Sequence, residues 1–234
     1  MKKTLSPFIP LVRLIEISHT DFYDKVRPYR AVIPYNIYEE VIEYHYKKTL
    51  PKTILPPRIA SKIIKPKLAT IISNWIDRKD STVLSSNNQY KFHPIYLKGQ
   101  EKFDCVTFYK KCNGQGPFVV IIRVQSKKIY GGYNPIGFAS RKGLWLLSTD
   151  SFIFSFENDQ DTNDMKIGRV INSKISIYEN CDNFFFSFGL HLYINGQDLL
   201  LRNYGNYNDI FKIDMNGSFQ LPIEEIEVFS IVKK

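Results

Sequence analysis

Two cysteines and a histidine are the residues of this sequence whose types could do chemistry. Cys105 and Cys112 lie seven positions apart in a segment that predicts a short helix, where they would share one face. Seven helical residues separate the two Cα atoms by roughly 10 Å, which is beyond the reach of a disulfide. The chain has three cysteines, at no metal-binding spacing, and this favours reduced, buried structural thiols over a redox pair.

His191 lies in an alternating run, FFFSFGLHLYI (184–194), and is expected to project from the face of a strand that does not enter the core. A metal ligand or a general base could occupy such a position. The other three histidines fall in unrelated segments with no carboxylate at motif spacing, so a surface or packed histidine is the favoured interpretation. No catalytic residue is therefore assigned, and Cys105, Cys112 and His191 stand as the candidates to examine.

Sequence motifs for nucleotide and metal chemistry do not occur in the chain. The phosphate-binding glycine-rich loops, the G-x-S-x-G nucleophile turn and the H-E-x-x-H zinc motif are all missing. The acidic stretch NDQDTND (158–164) has the beginning of a calcium loop, but Asp164 replaces the turn glycine and Val170 replaces the final glutamate. We therefore expect a solvated hairpin loop there, and neither a metal nor a cofactor in the protein.

The net charge of +9 is concentrated in the first third of the chain. Residues 1–80 hold 15 basic and 8 acidic residues, whereas the remainder is nearly balanced. The basic residues are spread along a proline-rich connector rather than interleaved with stacking aromatics, so a solvated linker or a partner-docking face is favoured over nucleic acid.

The apolar start is broken by Pro7 and Pro10, and no run approaches the roughly 20 apolar residues that span a bilayer. We expect an intracellular, cytoplasmic protein without a membrane span.

Helical patterns occupy the first third of the chain. An S-x-x-D pair at 18–21 predicts the start of a short helix, and Pro34 is suited to begin a second one. Three prolines within TLPKTILPPR (49–58) exclude a helix or a central strand and indicate a domain boundary. Two further helices are predicted over 66–76 and 104–112.

Strand patterns begin near residue 90. FVVIIRV (118–124) is a continuous apolar run and predicts a strand buried on both faces. Further short apolar runs lie at 151–156, 174–178, 184–194, 198–202 and 224–232. So many strands, without regular alternation of strand and helix, predict an α+β fold. We expect a two-sheet antiparallel β-sandwich with flanking helices, preceded by a short helical segment.

Turn-forming residues interrupt the apolar run IYGGYNPIGF (129–138). Gly131 and Gly132 weaken a strand because they have no side chain to pack, and Pro135 cannot donate to a strand ladder. Such a conflict indicates that another group approaches the backbone closely, or that the segment forms a site. We interpret Gly131, Gly132, Asn134 and Pro135 as a structural motif.

Five segments in a fixed order resemble the TLDc domain family. They are TFYKKCNGQGPFVVIIRV, KKIYGGYNPIGF, STDSFIFSF, FGLHLYI and the closing IEEIEVFSIV, and the resemblance covers roughly residues 75–234. It implies a two-sheet sandwich with flanking helices, in which Gly131 and Gly132 let an aromatic ring or another backbone press on a strand. Asn134 and Pro135 would then turn the chain out of the sheet.

The preceding segment, FIPLVRLIEISHTDFYDKVRPYRAVIP (8–34), is similar to the carboxy-terminal end of a BACK domain. A BACK domain commonly lies between a BTB domain and a TLDc domain, and these residues contain no BTB sequence. The resemblance implies a natural short form or a piece of a longer adaptor, and not the BTB route to a cullin ligase. We divide the chain into a BACK-like helical segment with a proline-rich linker (1–60) and a TLDc-like domain (61–234).

TLDc proteins are associated with protection against oxidative stress and with binding of the vacuolar proton ATPase, and the family has no agreed catalytic residues. The resemblance thus implies a non-enzymatic protein-interaction module, with proton-ATPase subunits as the candidate partner. Two alternatives stay open. One is a redox-active or catalytic domain that uses Cys105, Cys112 or His191, and the other is an adaptor fragment that binds through its basic helices.

Overall fold

The computed structural model describes residues 14–47, 59–79, 90–98, 104–139, 141–159, 164–180, 185–214 and 217–233. The chain divides into two compact units, 1–58 and 59–234, and each is described by itself below.

The described part of the first unit is helical. A series of short helical turns covers Leu14–Glu16, His19–Asp21, Phe22–Val26 and Arg27–Tyr29. Ser18 caps this series, because its hydroxyl oxygen accepts a hydrogen bond from the Asp21 N–H (3.0 Å). The start signal at 18–21 was therefore placed correctly. The turns do not form the single short helix predicted there, since residues 22–26 adopt wider π-helical hydrogen bonding.

Helix α1 (Tyr35–Lys47) completes the first unit. It begins directly after Pro34, as the sequence predicts. Ile37 and Val41 lie one turn apart on its inner face and are buried. They pack with other apolar side chains of the same unit, namely Leu14, Ile15, Phe22 and Ile33.

The second unit contains two described helices and a large sheet. Helices α2 (Pro66–Ile76) and α3 (Cys105–Cys112) match the predicted spans, and the Asp104 carboxylate caps α3 by accepting from the Val106 and Thr107 N–H groups. The described strands are β1 (Tyr90–Lys98), β2 (Phe118–Val124), β3 (Ile129–Asn134), β4 (Leu144–Leu146), β5 (Phe152–Phe156), β6 (Lys166–Arg169), β7 (Ile177–Asn180), β8 (Phe185–Phe188), β9 (Leu192–Asn195), β10 (Asp198–Arg202) and β11 (Ser218–Lys233).

All ladders between these strands are antiparallel, and the long strand β11 joins them into two layers. The strand order is β4-β7-β8-β9-β10-β11-β2-β3-β5-β6, and β1 also pairs with β11. The first part of β11 pairs with β10, from Ser218 to Pro222, and its later part pairs with β1 and β2. We call β1, β2, β3, β5, β6 and the later part of β11 the first layer. The second layer comprises β4, β7, β8, β9, β10 and the start of β11.

Strand β2 shows how the layers are held together. Val119 and Ile121 join the cluster that α2 covers on the outer side of the first layer, where Trp75 stacks on Phe156 (ring centroids 5.6 Å apart). Val120 and Ile122 point the other way, into a cluster that also contains residues of the second layer. The strand is buried on both faces, as its unbroken apolar run predicts. The sheet architecture is therefore the predicted antiparallel, sandwich-like α+β fold with flanking helices.

Three of the predicted strands have bounds different from the sequence-based expectation. The closing run, predicted at 224–232, is the longer strand Ser218–Lys233. The run 174–178 begins as a helical turn, Ser173–Ile175, and its strand starts only at Ile177. The run 184–194 is not one strand but the hairpin β8–β9, in which Phe188 pairs with Leu192. Positive φ values at Gly189 (54°) and Leu190 (60°) reverse the chain between them.

A buried glutamate in β11 fastens the segment that precedes α2. Glu227 is buried and accepts hydrogen bonds from the Ser61 hydroxyl and from the Lys62 N–H (2.8 Å). Burial raises the pKa of Glu227, although these hydrogen bonds act in the opposite direction. The carboxyl therefore binds its proton more tightly in the folded chain than in the unfolded chain.

Glu227 should therefore contribute to the free energy of unfolding, and this contribution should fall as pH rises from about 4.5. Because folded Glu227 retains its proton to higher pH than unfolded Glu227, the free energy of unfolding decreases across that interval. We expect Glu227→Gln to flatten this slope when the free energy of unfolding is measured by denaturant titration between about pH 4 and 7. A slope equal to that of the unsubstituted chain would contradict the assignment.

Glu224 provides a control of opposite sign. Its hydrogen bond with Lys127 (2.6 Å) holds the pKa of Glu224 below the ordinary value, so its contribution is lost as pH falls. Glu224→Gln should remove a small rise of stability with pH, since the pair is at the surface.

Candidate functional site

Cys112, the second cysteine of α3, is a packed, protonated thiol in the described structure. Cys112 is fully buried in the cluster between the layers, where it lies with Phe118 and Phe138. Burial raises the pKa of the Cys112 thiol to about 12, so it is not a thiolate at neutral pH. Cys105 begins α3, but its side chain lies outside the described residues, as does Cys181. Cys112 is therefore a packing residue.

His191 is at the turn of the β8–β9 hairpin and is fully buried, so the expectation that it projects from the outer face of a strand is wrong. Its Nδ1 lies 3.3 Å from the Gly189 carbonyl oxygen, and its ring meets Tyr207 edge-on at 5.5 Å. Nε2 is buried without a hydrogen-bond partner among the described residues. Burial lowers the pKa of His191, which keeps the imidazole neutral at physiological pH.

The neighbour of His191, Tyr207, belongs to a buried chain of hydroxyl groups. The Tyr207 hydroxyl donates to the Ser176 carbonyl oxygen (2.6 Å) and is 2.9 Å from the Ser151 Oγ, which is then the donor to it. Burial raises the pKa of Tyr207. No hydrogen bond or ring contact joins these groups to Cys112 within the described ranges. The thiol and the imidazole are thus not brought together as a catalytic pair.

A second buried polar group, Glu179 in β7, was missed by the sequence analysis. Its Oε1 accepts hydrogen bonds from the Tyr109 hydroxyl and from the N–H groups of Ala139 (3.1 Å) and Arg141 (3.2 Å). Its Oε2 pairs with the Arg141 guanidinium at 2.6 Å. The signal was present, because Glu179 is two positions after the core residue Ile177 and so faces inward. Glu179 ties α3 and the segment before β4 to the second layer.

The glycine pair lies in the middle of β3, between β2 and β5. A Cβ on Gly131 would lie 2.8 Å from Cε2 of Phe154, closer still to its Cζ, and in steric overlap with the Val120 carbonyl oxygen. A Cβ on Gly132 would lie 2.5 Å from the ring of Phe188, which reaches β3 from the second layer. One glycine therefore admits an aromatic ring on the helix side of the strand, and the other admits one between the layers.

Asn134 and Pro135 follow at the end of β3. The Asn134 Oδ1 accepts hydrogen bonds from the N–H groups of Ile136 (2.8 Å) and Gly137 (3.1 Å), which closes a turn after the strand. Phe138 then stacks on Phe118 with ring centroids 4.5 Å apart. The segment has a packing function in the structure, and it leads the chain from β3 towards α3, where Phe138 and Asn113 form a single bridge.

Strand β4, at one end of the sheet, exposes apolar side chains. Strand β4 pairs with β7 alone among the described strands. Leu144, Trp145 and the following Leu147 are 51%, 40% and 64% exposed. Trp145 shares a face with Tyr178, at a ring distance of 5.0 Å, and Leu144 is on the opposite face, across from Glu179. The arrangement offers exposed apolar side chains on both faces of an open strand.

Neither a metal-ligand cluster nor a membrane-spanning helix occurs among the described residues. Their His, Cys, Asp and Glu side chains nowhere gather in a group of three or more that could hold a metal ion. Within the same ranges, each helix falls short of the length and apolar character needed to cross a membrane.

The glycine packing can be tested by adding a single methyl group. Gly131→Ala should reduce the free energy of unfolding by about 1–3 kcal/mol, because neither the Phe154 ring nor the Val120 carbonyl can move without disturbing the core. Denaturant unfolding measures this. Gly116→Ala is the matched control, since a Cβ there meets nothing within 4 Å. Equal stability of the two variants would contradict the packing function.

The inertness of Cys112 can be tested by thiol labelling. In a Cys105→Ser, Cys181→Ser variant, Cys112 is the sole thiol. Because its pKa is raised from 9.0 to about 12, its thiolate fraction near pH 8 should be about a thousandfold lower than that of an ordinary cysteine. Mass spectrometry should show iodoacetamide labelling slowed at least to that extent in the folded chain and restored in denaturant. If Cys112 in the folded chain is labelled at a rate within tenfold of that in the denatured chain, the result would support the redox alternative.

Comparison with known proteins agrees with the fold. A search of curated proteins finds no match to this chain. The family model described as "TLDc domain" matches residues 58–232, which is most of the sequence and includes every described strand except the last residue of β11. The chain belongs to the TLDc domain family.

Proposed function

We propose that this protein is a non-enzymatic protein-interaction module. The observation that carries the proposal is the contrast between buried reactive groups and an exposed apolar edge. Cys112 and His191 are fully buried, whereas Leu144 and Trp145 on β4, and Leu147 directly after it, are open to solvent. Apolar side chains grouped on the surface of a folded domain are typical of sites where another protein binds.

Family membership supports a more specific partner. TLDc proteins are associated with oxidative-stress protection and with the vacuolar proton ATPase. We therefore propose that this chain protects against oxidative stress by binding subunits of that ATPase. For such a role the protein acts in the cytoplasm. Its second unit, taken as residues 61–234, supplies the rigid binding scaffold.

The residues before this scaffold support an adaptor function as a further part of the proposal. Residues 1–60, with their helical turns and α1, resemble the end of a BACK domain, and their basic residues suit a docking face rather than nucleic acid. The redox or catalytic alternative has less support, because a thiol with a pKa of about 12 is a poor nucleophile.

Capture of the ATPase tests the proposed partner. The tagged full chain, immobilised and exposed to solubilised vacuolar membranes, should retain proton-ATPase subunits that mass spectrometry identifies. A folded chain of equal charge but unrelated sequence is the control, because a pI near 9.3 alone attracts acidic proteins. Failure to enrich these subunits over that control would remove the proposed partner.

A cysteine-free variant separates docking from chemistry. Replacing Cys105, Cys112 and Cys181 by serine removes every thiol of the chain. If binding protects cells, the folded variant should restore peroxide survival as well as the unsubstituted protein does. Loss of protection by a variant with normal circular dichroism and normal ATPase capture would favour the redox alternative.

A further inference from the structure

Three described strands have a single partner, and two of them are protected against adding another strand. The open side of β1 carries Pro94, which has no N–H to donate, a register irregularity after it, and the exposed Lys91. The open side of β6 is covered by the chain that follows Asn206. Val170 bridges to Tyr207, and the Asn208 N–H donates to the Arg169 carbonyl oxygen (2.9 Å).

Strand β4 is short, with three residues, but it lacks the protective features of β1 and β6. It contains no proline and no charged residue, and its outward backbone groups have no described strand to pair with. The Leu146 carbonyl oxygen is bound by the Ser176 hydroxyl (2.9 Å), which fixes the end of the strand. An exposed, apolar, single-partner strand is the arrangement to which an extended peptide adds by main-chain hydrogen bonds.

The charges around β4 indicate what such a peptide carries. Lys142 is exposed two residues before the strand. Lys174 is exposed at the other end, in the turn whose Ser173 carbonyl accepts from the Ser148 N–H (3.2 Å). Cations therefore stand near both ends of the apolar strand. The one buried carboxylate there, Glu179, is already neutralised by Arg141.

The exposed apolar area at β4 favours a short peptide over a second copy of the chain as the molecule that binds there. The exposed parts of Leu144, Trp145 and Leu147 amount to about 300 Å², against roughly 800 Å² that each partner contributes to a stable dimer interface. Two copies would also each carry a net charge of +9, which opposes their association. A short acidic segment meets neither objection.

We propose that the open side of β4 receives an extended segment of a partner protein as an added β-strand, and that this segment is apolar in its centre and acidic at its ends. The inference rests on the proposed interaction function and names the surface and partner chemistry for it. Leu144 on one face, and Trp145 with Leu147 on the other, contact alternate side chains of the segment. Lys142 and Lys174 attract its acidic ends.

A designed peptide tests this directly on the full chain. The probe is a capped peptide of alternating valine and threonine with two glutamates at each end. Trp145 is the reporter, because the second tryptophan, Trp75, is buried. Binding should shift Trp145 emission to the blue with a dissociation constant of about 10 μM to 1 mM, as in small transient interfaces. It should also slow amide hydrogen exchange at residues 144–147.

Two altered peptides separate the contributions. N-methylation of the backbone at alternate residues removes the strand's N–H donors and should abolish binding. Lysine in place of the four glutamates should weaken binding about tenfold at low salt, with a smaller difference at high salt. Equal binding of the lysine peptide would overturn the acidic part of the proposal, and equal binding of the methylated peptide would overturn strand addition.

A pair of leucine variants matched in exposure locates the site. Leu144→Ser should weaken binding of the acidic peptide about tenfold. Leu97→Ser, at a residue of β1 that is 50% exposed, should leave binding unchanged. No change in Trp145 emission or amide exchange at millimolar peptide would overturn the proposal. Dimerisation of the free chain in sedimentation, lost in Leu144→Ser, would also overturn it by assigning β4 to a second copy.

The ATPase capture distinguishes failure of this inference from failure of the proposed function. If Leu144→Ser captures ATPase subunits as well as the unsubstituted chain does, the proposed function is supported and β4 is not the surface that binds this partner. If no variant captures the subunits while the acidic peptide binds at β4, the ATPase is not the partner and the β4 inference is supported.

Discussion

Two aromatic rings occupy the space that side chains of Gly131 and Gly132 would otherwise take, and the packing of the second unit depends on this constraint. Phe154 lies over the first glycine on the side that α2 covers, and Phe188 reaches the second from the other layer. Strand β3 is central in its layer, so both hydrophobic clusters are in contact with it. Because protein interiors are packed to crystal-like density, even one added methyl group must displace a ring or a neighbouring backbone.

The same dense packing determines the use of the residues that could do chemistry. Cys112 fills space between the layers, and the buried His191 contacts Tyr207 at a hairpin turn. Glu179 gains its hydrogen bonds from two separate parts of the chain, α3 and the segment before β4, so it holds these segments together. Cys112, His191 and Glu179 are thus buried structural groups here. Burial raises the pKa of Cys112 and lowers that of His191, and both shifts favour the neutral form of the side chain.

The sequence predicted the fold where a local signal and the tertiary environment agree. The proline start of α2 and the unbroken apolar run of β2 are such signals, and both elements lie where they were expected. The prediction of a single strand over residues 184–194 was wrong for a specific reason. A three-residue turn pairs Phe188 with Leu192, so residues of equal parity stay on one face and the alternation continues through the hairpin. Periodicity alone could not reveal the reversal, and His191 at the turn was assigned to the wrong face. Glu179 was overlooked because its partners are distant in sequence.

The topology of the sheet determines which of its edges are open. A sheet whose strand order does not close into a barrel must have ends, and each end presents unpaired backbone groups. At β6 the chain covers its own edge, and at β1 a proline removes a donor. Among the described edges, only β4 combines an open side and exposed apolar side chains with a strand that contains neither proline nor a charged residue. Residues at this edge can change without disturbing the contacts of Gly131 and Gly132, since Leu144 and Trp145 are outside both packed clusters. The core around Gly131 and Gly132 does not tolerate added side chains, whereas the edge strand β4 is free to vary in sequence.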